Sequence, residues 1–254
     1  MSINLALILT VLTLFTGVIV AIDKFIWSKE AGDDDAAAGG TGRDVLVEYS
    51  RSFFPVLLFV LIIRSFVFEP FRIPSGSMEP TLVKGDFIFV QKYAYGLRLP
   101  VTETKIVEIG SPERGDVVVF RYPPEPSVNY IKRIVGLPGD EIVYKNHRLW
   151  VNGEEVPLAR APDASRDSPR YIETLDEREH AIYVWSPEFS QRDGVYRVPE
   201  GQFFVLGDNR DKSKDSRYIG FIPESHLVGE AVRIWMHIDG WKWPRWERIG
   251  TKIQ

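Results

Sequence analysis

The sequence contains no cysteine, and this absence excludes several kinds of site at once. Without thiols the chain can form no disulfide bond, no thiolate metal centre and no cysteine nucleophile. It also lacks a basic excess, because 31 lysines and arginines face 35 aspartates and glutamates, for a net charge of -4 at pH 7. A general nucleic-acid binder needs a concentrated basic surface. We therefore expect no nucleic-acid partner, and any catalysis must use oxygen or nitrogen groups.

The first apolar run, residues 3–22, has no lysine or arginine before it. About 20 helical residues at about 1.5 Å each match a hydrocarbon core of about 30 Å, as is typical of a transmembrane helix. A cleavable signal peptide is the alternative, but such peptides begin with basic residues and end at a small-residue cleavage site. Asp23 and Lys24 follow this run instead. We assign residues 1–22 to a first membrane span.

A second apolar run covers residues 53–68 and contains Pro55 and Arg64. A buried core helix is the alternative interpretation of a run this short. Pro55 falls in the first turn, where a missing N–H is tolerated, and Arg64 lies near the far end, where its long stem can reach the headgroups. These positions favour a second membrane span at residues 53–69.

The segment between the two runs, residues 23–52, carries the basic residues of this region. Loops rich in lysine and arginine remain in the cytoplasm, so we expect a cytoplasmic loop here. Two crossings then place everything after about residue 69 on the outer side. The basic residues are Lys24, Lys29, Arg43 and Arg51.

Beyond residue 69 the pattern is that of a β protein. Asn152-Gly153 predicts a two-residue hairpin turn. Residues 157–197 carry dense charge with weak alternation, which indicates an irregular insertion or a smaller lobe. Short runs rich in Val, Ile, Phe and Tyr, bounded by Gly and Pro, predict strands at 87–93, 116–122, 130–135, 141–144, 149–151, 202–206 and 228–235.

Tryptophan is concentrated at the end of the chain. Core packing explains Trp235, whereas the three that follow suit either the core or a lipid interface, where the indole finds both apolar and polar contacts. The three are Trp241, Trp243 and Trp246.

Residues 70–82 hold a candidate nucleophile immediately after the second span. Three prolines exclude a helix here and predict an extended, turning path. The path includes Ser75-Gly76-Ser77, which on its own is either an ordinary turn or an exposed serine nucleophile. A serine hydroxyl needs a base to take its proton before it can attack.

Lys132 is the candidate base. On a strand it shares a face with Tyr130 and Ile134, opposite Arg133. Burial on that face would lower its pKa from about 10.4 by roughly two to three units, enough for a base near neutral pH. An exposed edge-strand lysine is the alternative. The four histidines lie in no recognisable triad context: His147, His180, His226 and His237.

The polar segment 207–220 is the third candidate element, and by composition it is either a solvated loop or part of a site. Together the three segments resemble the motif blocks of the bacterial type I signal peptidases, or leader peptidases, in the same order behind two membrane spans. The strings that carry the resemblance are PSGSMEPTL (74–82), RGDVVVF (114–120), YIKRIVGLPGD (130–140) and GDNRDKSKDSRYIG (207–220).

This resemblance implies a Ser–Lys serine endopeptidase that removes signal peptides after small residues at positions -1 and -3. Ser77 would be the nucleophile and Lys132 the general base, with the Lys132 amine oriented by the Ser213 hydroxyl. The Ser77 N–H and the Ser75 hydroxyl would form the oxyanion hole. Asp215 and Arg217 would form a supporting ion pair, and the substrate subsites would use Phe71, Ile73, Pro74, Leu82, Tyr130 and Ile131.

The resemblance also implies a mainly β fold of two antiparallel sheet regions after the two membrane helices. The catalytic domain would span residues 70–140 and 200–254, with a non-catalytic lobe of β or irregular structure inserted at 141–199. We expect a monomer in the bacterial inner membrane, with its catalytic domain on the periplasmic face and no cofactor or metal. Its partners would be preproteins and membrane lipid, with the export translocon as a further candidate.

Two other functions are compatible with some of these features. A hydrolase of the penicillin-binding type also uses serine and lysine, but it needs a Ser-x-x-Lys tetrad, which this sequence lacks. A membrane-anchored binding scaffold, with Ser77 in a structural turn, needs no catalytic pair and would tolerate Ser77→Ala.

Overall fold

The computed structural model describes residues 5–27, 42–99, 104–186, 192–240 and 243–253. The chain divides into two compact units, one of residues 1–68 and 96–108 and one of residues 69–95 and 109–254. The predicted boundary between a catalytic domain and an inserted lobe falls within the second unit and stays a prediction.

The first unit is built around two helices. Helix α1 (Leu5–Ile22) ends in a π-helical turn (Asp23–Trp27), and helix α2 (Gly42–Ile62) ends in another (Ile63–Val67). They pack closely at Gly17, where a Cβ atom would lie 2.7 Å from the Phe54 ring.

By length and composition, both helices are able to cross a membrane. Their large apolar side chains, such as Phe15 and Phe59, are mostly exposed, at 56% and 66%. An apolar surface of this kind is stable against lipid and costly in water. The two apolar runs of the sequence are thus helical, as expected.

The helix bounds differ from those expected. Helix α2 begins at Gly42, well before the apolar run at residue 53, so residues 42–52 are helical rather than loop. This stretch contains good helix formers such as Arg43 and Glu48. Because they are polar, a hydropathy pattern does not detect this part of the helix. At the other end of the expected loop, residues 23–27 form the π-helical turn after α1, and residues 28–41 lie outside the described residues.

The second unit is mainly β. The strands are β1 Phe68–Arg72, β2 Asp86–Gln91, β3 Leu97–Arg98, β4 Lys105–Val107, β5 Val117–Tyr122, β6 Glu125–Gly136, β7 Glu141–Lys145, β8 Arg148–Val151, β9 Glu154–Glu155, β10 Leu158–Arg160, β11 Arg170–Leu175, β12 Arg178–Tyr183, β13 Gly194–Arg197, β14 Gln202–Leu206, β15 Ile222–Pro223 and β16 Leu227–His237. The largest sheet has seven strands in the order β1-β2-β16-β5-β6-β14-β15. The same unit contains a three-stranded sheet (β10-β11-β12) and a four-stranded sheet (β13-β7-β8-β9), whereas β3 and β4 pair in the first unit.

The expected antiparallel β architecture is confirmed. All seven predicted strands form, as β2, β5, β6, β7, β8, β14 and β16, and the pairs β2–β16, β16–β5, β5–β6 and β6–β14 are antiparallel. Asn152 and Gly153 both have positive φ, at 51° and 88°, which is the primed turn that their sequence predicts between β8 and β9.

Of the two interpretations of residues 157–197, an irregular insertion does not hold for much of the segment, and a smaller lobe stays a prediction. The segment forms β10, β11 and β12 as an antiparallel sheet, and β13 pairs with β7. Glu173 on β11 and His180 on β12 are inward-facing partners in register, buried to 1% and 6% exposure. Because these inward positions are polar, the alternation that marks a strand is hidden from a hydrophobicity pattern.

Buried residues of the seven-stranded sheet form the core that supports the candidate site. One cluster joins Ile73, Met78 and Leu82 to residues of β2, β5, β6 and β16. At the chain end, Trp235 packs between Phe87 and Phe89, with ring centroids 5.6 and 5.5 Å away. Trp243 and Trp246 are exposed, whereas Trp241 lies outside the described residues.

Candidate active site

The segment that carries Ser77 is anchored at both ends and open in the middle. Ile73, Met78 and Leu82 are almost completely buried, whereas Ser75 is exposed and Ser77 half-buried between them. Apolar anchors on either side of a short polar turn hold its backbone against the sheet and leave the two serines between them partly or fully exposed.

A single asparagine clamps this turn to the polar loop at residues 207–220. The Asn209 backbone N–H donates to the Ser77 carbonyl over 3.1 Å, and its side-chain amide donates to the Gly76 carbonyl over 3.0 Å. Asn209 is itself 1% exposed. Two hydrogen bonds to consecutive carbonyls fix the path of the turn immediately around the Ser77 side chain.

Lys132 lies on β6, opposite Val118 of β5, and reaches Ser77. Its Nζ lies 2.7 Å from Ser77 Oγ and donates to the Ile131 carbonyl oxygen over 2.6 Å. Lys132 is 4% exposed and Ile134 is fully buried, so the strand face that the alternation pattern indicated is indeed buried. Of the two alternatives, the structure has the buried lysine and not the exposed edge-strand lysine.

Burial sets the protonation of this amine. Desolvation lowers the pKa of Lys132 from 10.5 to about 8, against the opposing fields of Asp215 and Asp208, which favour the ammonium form. About a tenth of the amine is then neutral at pH 7, and half at pH 8. A neutral amine within hydrogen-bonding distance of a serine hydroxyl can accept its proton.

Gly207 allows the polar loop to approach the nucleophile. A Cβ atom at this position would lie 2.2 Å from Ser213 Oγ and 2.5 Å from the Ser77 carbonyl oxygen. The Gly207 N–H donates to Asp215 Oδ2 over 3.0 Å. No larger residue fits here without moving Ser77 or Ser213.

Asp215 and Arg217 form the ion pair that the sequence resemblance implies. The guanidinium donates to both carboxylate oxygens, over 2.8 and 2.9 Å, and both side chains are 0% exposed. Arg217 also donates to the Arg210 carbonyl over 2.6 Å, which ties the pair to the start of the loop.

The structure does not form the expected hydrogen bond between Ser213 and Lys132. The Ser213 hydroxyl is buried and has no hydrogen-bond partner among the described residues. The Lys132 amine is directed towards Ser77 and the Ile131 carbonyl instead. Ser213 therefore lies at the site, packed against Gly207, without the orienting contact.

A second buried ion pair joins all three segments, and sequence reasoning missed it. Arg133 donates to both carboxylate oxygens of Asp208, over 2.9 and 2.7 Å, with both side chains 1% exposed. The Thr81 hydroxyl donates to the same carboxylate. Thr81, Arg133 and Asp208 each belong to one of the three motif segments, but their spacing in the sequence does not show which residues pair.

A third buried pair connects the loop to the hairpin of β11 and β12. Arg210 donates to both oxygens of Glu173, and both side chains are 1% exposed. His180 Nε2 lies 3.3 Å from the same carboxylate. Glu173 and Arg210 are 37 positions apart, and no local pattern in the sequence pairs them.

The histidines serve other contacts. His147 and His237 each lie 2.8 Å or less from a carboxylate, of Asp211 and Asp86 respectively, while His226 stands beside Ser225 on the surface. None of these contacts involves Ser77, which agrees with the absence of a triad context.

A groove of about 520 Å³ runs beside Ser77 and Lys132. Of the six expected subsite residues, Pro74, Tyr130 and Ile131 line it, Phe71 is half-buried, and Ile73 and Leu82 lie in the core beneath. Ser75 lines the groove together with Ser77, the two residues expected to supply the oxyanion hole. The arrangement provides a serine, a deprotonatable amine and room for an extended peptide.

Comparison with known proteins identifies relatives along nearly the whole chain. A family model described as "Signal peptidase, peptidase S26" matches residues 46–236. A signal peptidase I of Pseudomonas fluorescens is 42% identical over 272 residues, which cover 96% of this chain and 94% of the relative. A signal peptidase I of Pseudomonas aeruginosa is 48% identical over 225 residues, 82% of this chain and 79% of the relative.

A solved structure is also similar in sequence. The crystal structure of a signal peptidase I from Enterococcus faecalis V583 is 28% identical and covers 48% of this chain and 98% of its own. Its TM-score is 0.33, which is too low for that structure to bear on the fold described above.

Proposed function

The chain belongs to the signal peptidase family, peptidase S26, and from that membership we propose that Ser77 and Lys132 are its catalytic pair. Membership makes the protein a membrane-associated serine endopeptidase that cleaves signal peptides. The observation that carries the assignment of the pair is the distance of 2.7 Å between Lys132 Nζ and Ser77 Oγ, with the amine buried.

In the first half of the reaction, neutral Lys132 accepts the Ser77 hydroxyl proton and Ser77 Oγ attacks the scissile carbonyl. The negative charge on that carbonyl oxygen is stabilised by the Ser77 N–H and the Ser75 hydroxyl, and each such donor typically contributes roughly 3–4 kcal/mol. The Lys132 ammonium then protonates the leaving amine, which is the new N-terminus of the mature protein.

In the second half, the signal peptide is held as an ester on Ser77. Lys132, neutral again, takes a proton from water, and the hydroxide attacks the ester carbonyl. Return of the proton to Ser77 Oγ releases the carboxylate of the signal peptide and restores the pair. One amine therefore serves as base and acid in both halves.

The buried pairs support this mechanism by holding the three segments in place. Asp208 bonds to Arg133 beside Lys132 and to Thr81 close to Ser77. Asp215 holds Arg217 and Gly207 in the loop that packs against the Ser77 carbonyl. Both carboxylates still favour the ammonium form of Lys132 in this paired state, and desolvation outweighs them, so the pKa of the amine remains lowered.

The groove lining supports a substrate with small side chains next to the cut. Pro74, Tyr130 and Ile131 leave shallow apolar space beside Ser77, which suits small residues at positions -1 and -3. The strand edge near Tyr130 offers backbone groups for an extended peptide.

Membrane orientation follows from charge. The basic residues between the two spans favour a cytoplasmic connection, so residues after about 69 face the periplasm, where exported preproteins emerge. Lipid and the export translocon are the other expected partners, and the protein would act as a monomer.

Cleavage of a preprotein by the purified chain tests the catalytic pair. We expect a cut at the signal-peptide boundary, identified by mass spectrometry, and a loss of at least about 1,000-fold in kcat/KM for Ser77→Ala, because a nucleophile has no substitute in acyl transfer. Ser111→Ala, an exposed serine outside the groove, is the matched control. Unchanged cleavage by the Ser77→Ala protein would exclude the mechanism and favour a scaffold role for this turn.

A further inference from the structure

The groove beside Ser77 carries two lysines that the acyl-transfer chemistry does not use. Lys212 and Lys214 line it together with Ser77 and Lys132. Both are exposed, and they flank Ser213, which is buried and extended, at φ -127° and ψ 129°. Lys212 ends a 3-10 turn and Ser213 is extended, and the burial alternates accordingly: Ser213 is buried, whereas the lysine on either side of it is exposed and lines the groove.

Aromatic rings hold both ammonium groups in position. Lys212 Nζ lies 3.8 Å from the centre of the Trp185 ring. Lys214 Nζ lies 5.2 Å from the centre of the Tyr122 ring, which stacks on Tyr130 with centroids 4.6 Å apart. The polar interaction with Tyr122 raises the pKa of Lys214, which favours its charged form. Contacts of a cation with a ring face restrict a side chain without neutralising its charge.

The groove consequently has an excess of positive charge. Asp208 and Asp215, the carboxylates behind it, are each bonded to a buried arginine. Among the described residues that line the groove, Glu79 is the single acidic side chain against the two exposed lysines. Within the same residues neither of these lysines has a carboxylate at ion-pair distance.

We propose that Lys212 and Lys214 form a subsite for an acidic side chain of the preprotein, close to the scissile bond. The subsite presupposes the proposed function, because the occupant of a groove next to Ser77 is then the peptide being cut. If positions -1 and -3 take small residues, the acidic residue falls at -2 or among the first residues after the cut. A preference of this kind depends on residues 212 and 214 themselves and not on the catalytic pair.

A matched set of preproteins tests the subsite. Each carries either Glu or Gln at -2 or at one of the first four positions after the cut, and the full chain in uncharged detergent micelles cleaves them. At one position or more we expect kcat/KM for Glu to exceed that for Gln by roughly twofold to fivefold per lysine, the range of exposed ion pairs. The ratio should fall towards one in about 1 M salt, where the screening length is about 3 Å.

Variants identify the lysines as the cause. The double change Lys212→Gln and Lys214→Gln should bring the Glu/Gln ratio to about one, and Lys214→Glu should invert it. Lys145→Gln, an exposed lysine outside the groove, should leave the ratio unchanged. All of these side chains are exposed, so the substitutions leave the core intact.

Three results would overturn the subsite. The first is a ratio of one at every position in the unaltered protein, and the second is a preference that survives the double change. The third is a lysine effect that occurs only when anionic phospholipid vesicles replace the micelles, which would identify lipid phosphate as the partner. If no preprotein is cut at all, the proposed function fails, and the subsite with it.

Discussion

The pH dependence of cleavage follows from the burial of one amine. Lys132 acts as a base only when it is neutral, and burial lowers its pKa from 10.5 to about 8. Since the active form is the deprotonated one, activity must rise as the pH rises through the folded-state pKa. Changing the pH from 6 to 10 is therefore the perturbation that examines the proposed base most directly.

The size of the effect comes from the neutral fraction of the amine. With a pKa of about 8 that fraction is about a tenth at pH 7, a half at pH 8 and nine-tenths at pH 9. We therefore expect kcat/KM to increase about tenfold between pH 7 and pH 9 and then to level off. A lysine with its ordinary pKa would be only about 0.03% neutral at pH 7, so burial raises the neutral fraction of the Lys132 amine about 300-fold at this pH.

The assay is kcat/KM for one preprotein at constant ionic strength, because this parameter reports the pKa values of the free enzyme. The substrate should carry no histidine or lysine near the cut, so that its own titration does not contribute. As a control, protein held at each pH is returned to pH 8 and assayed there, which separates reversible titration from unfolding. A profile that is flat between pH 6 and pH 9.5, or one whose midpoint lies above about 10, would refute the role of a desolvated lysine.

Two stability measurements test the same electrostatics, both by thermal unfolding in detergent micelles. Lys132→Met removes the buried amine, so we expect no cleavage but a fold more stable by about 1–3 kcal/mol at pH 7, since each unit of pKa depression represents about 1.4 kcal/mol. This gain should shrink as the pH rises from about 8 through 10.5, because the lysine becomes neutral in both the folded and the unfolded state only above its unfolded pKa of 10.5. A variant less stable than the unaltered protein at pH 7 would contradict this expectation. Arg133→Met leaves Asp208 buried without its ion-pair partner and should cost about 3–5 kcal/mol. The control Arg148→Met breaks an exposed pair with Glu155 and should cost at most about 1 kcal/mol, so equal losses would contradict the importance of burial.

Local patterns determined most of the fold. The strand at residues 202–206 was predicted with the bounds that the structure has, and Asn152-Gly153 forms the expected primed turn. Strand periodicity and turn chemistry depend on neighbours in sequence, so they can be recognised without a structure. The same reasoning failed for β11 and β12, because their inward positions Glu173 and His180 are polar.

Ser77 and Lys132 could each be predicted as candidate residues from the sequence, but the contact between them could not. Alternation placed Lys132 on an apolar face, and the proline-rich path of residues 70–82 left Ser77 exposed to a partner. Burial of both faces of β6 and the 2.7 Å contact depend on how the strands pair, which no local pattern encodes. The resemblance to a family supplied the roles, and the expected contact of Ser213 with the amine is not formed.

The two apolar helices, most of the strands and the residues that could carry chemistry were therefore predictable from residue patterns, because each depends on side chains close together in the chain. Which charges meet in the interior depends instead on the packing of distant segments, as in Arg133 with Asp208 and Arg210 with Glu173. The free-energy cost of burying a charge is offset only where an oppositely charged group lies at hydrogen-bonding distance with suitable geometry. In both pairs that group belongs to a segment distant in the sequence. The pKa of Lys132 was decided in the same way, since desolvation is a property of the folded environment and not of the residue.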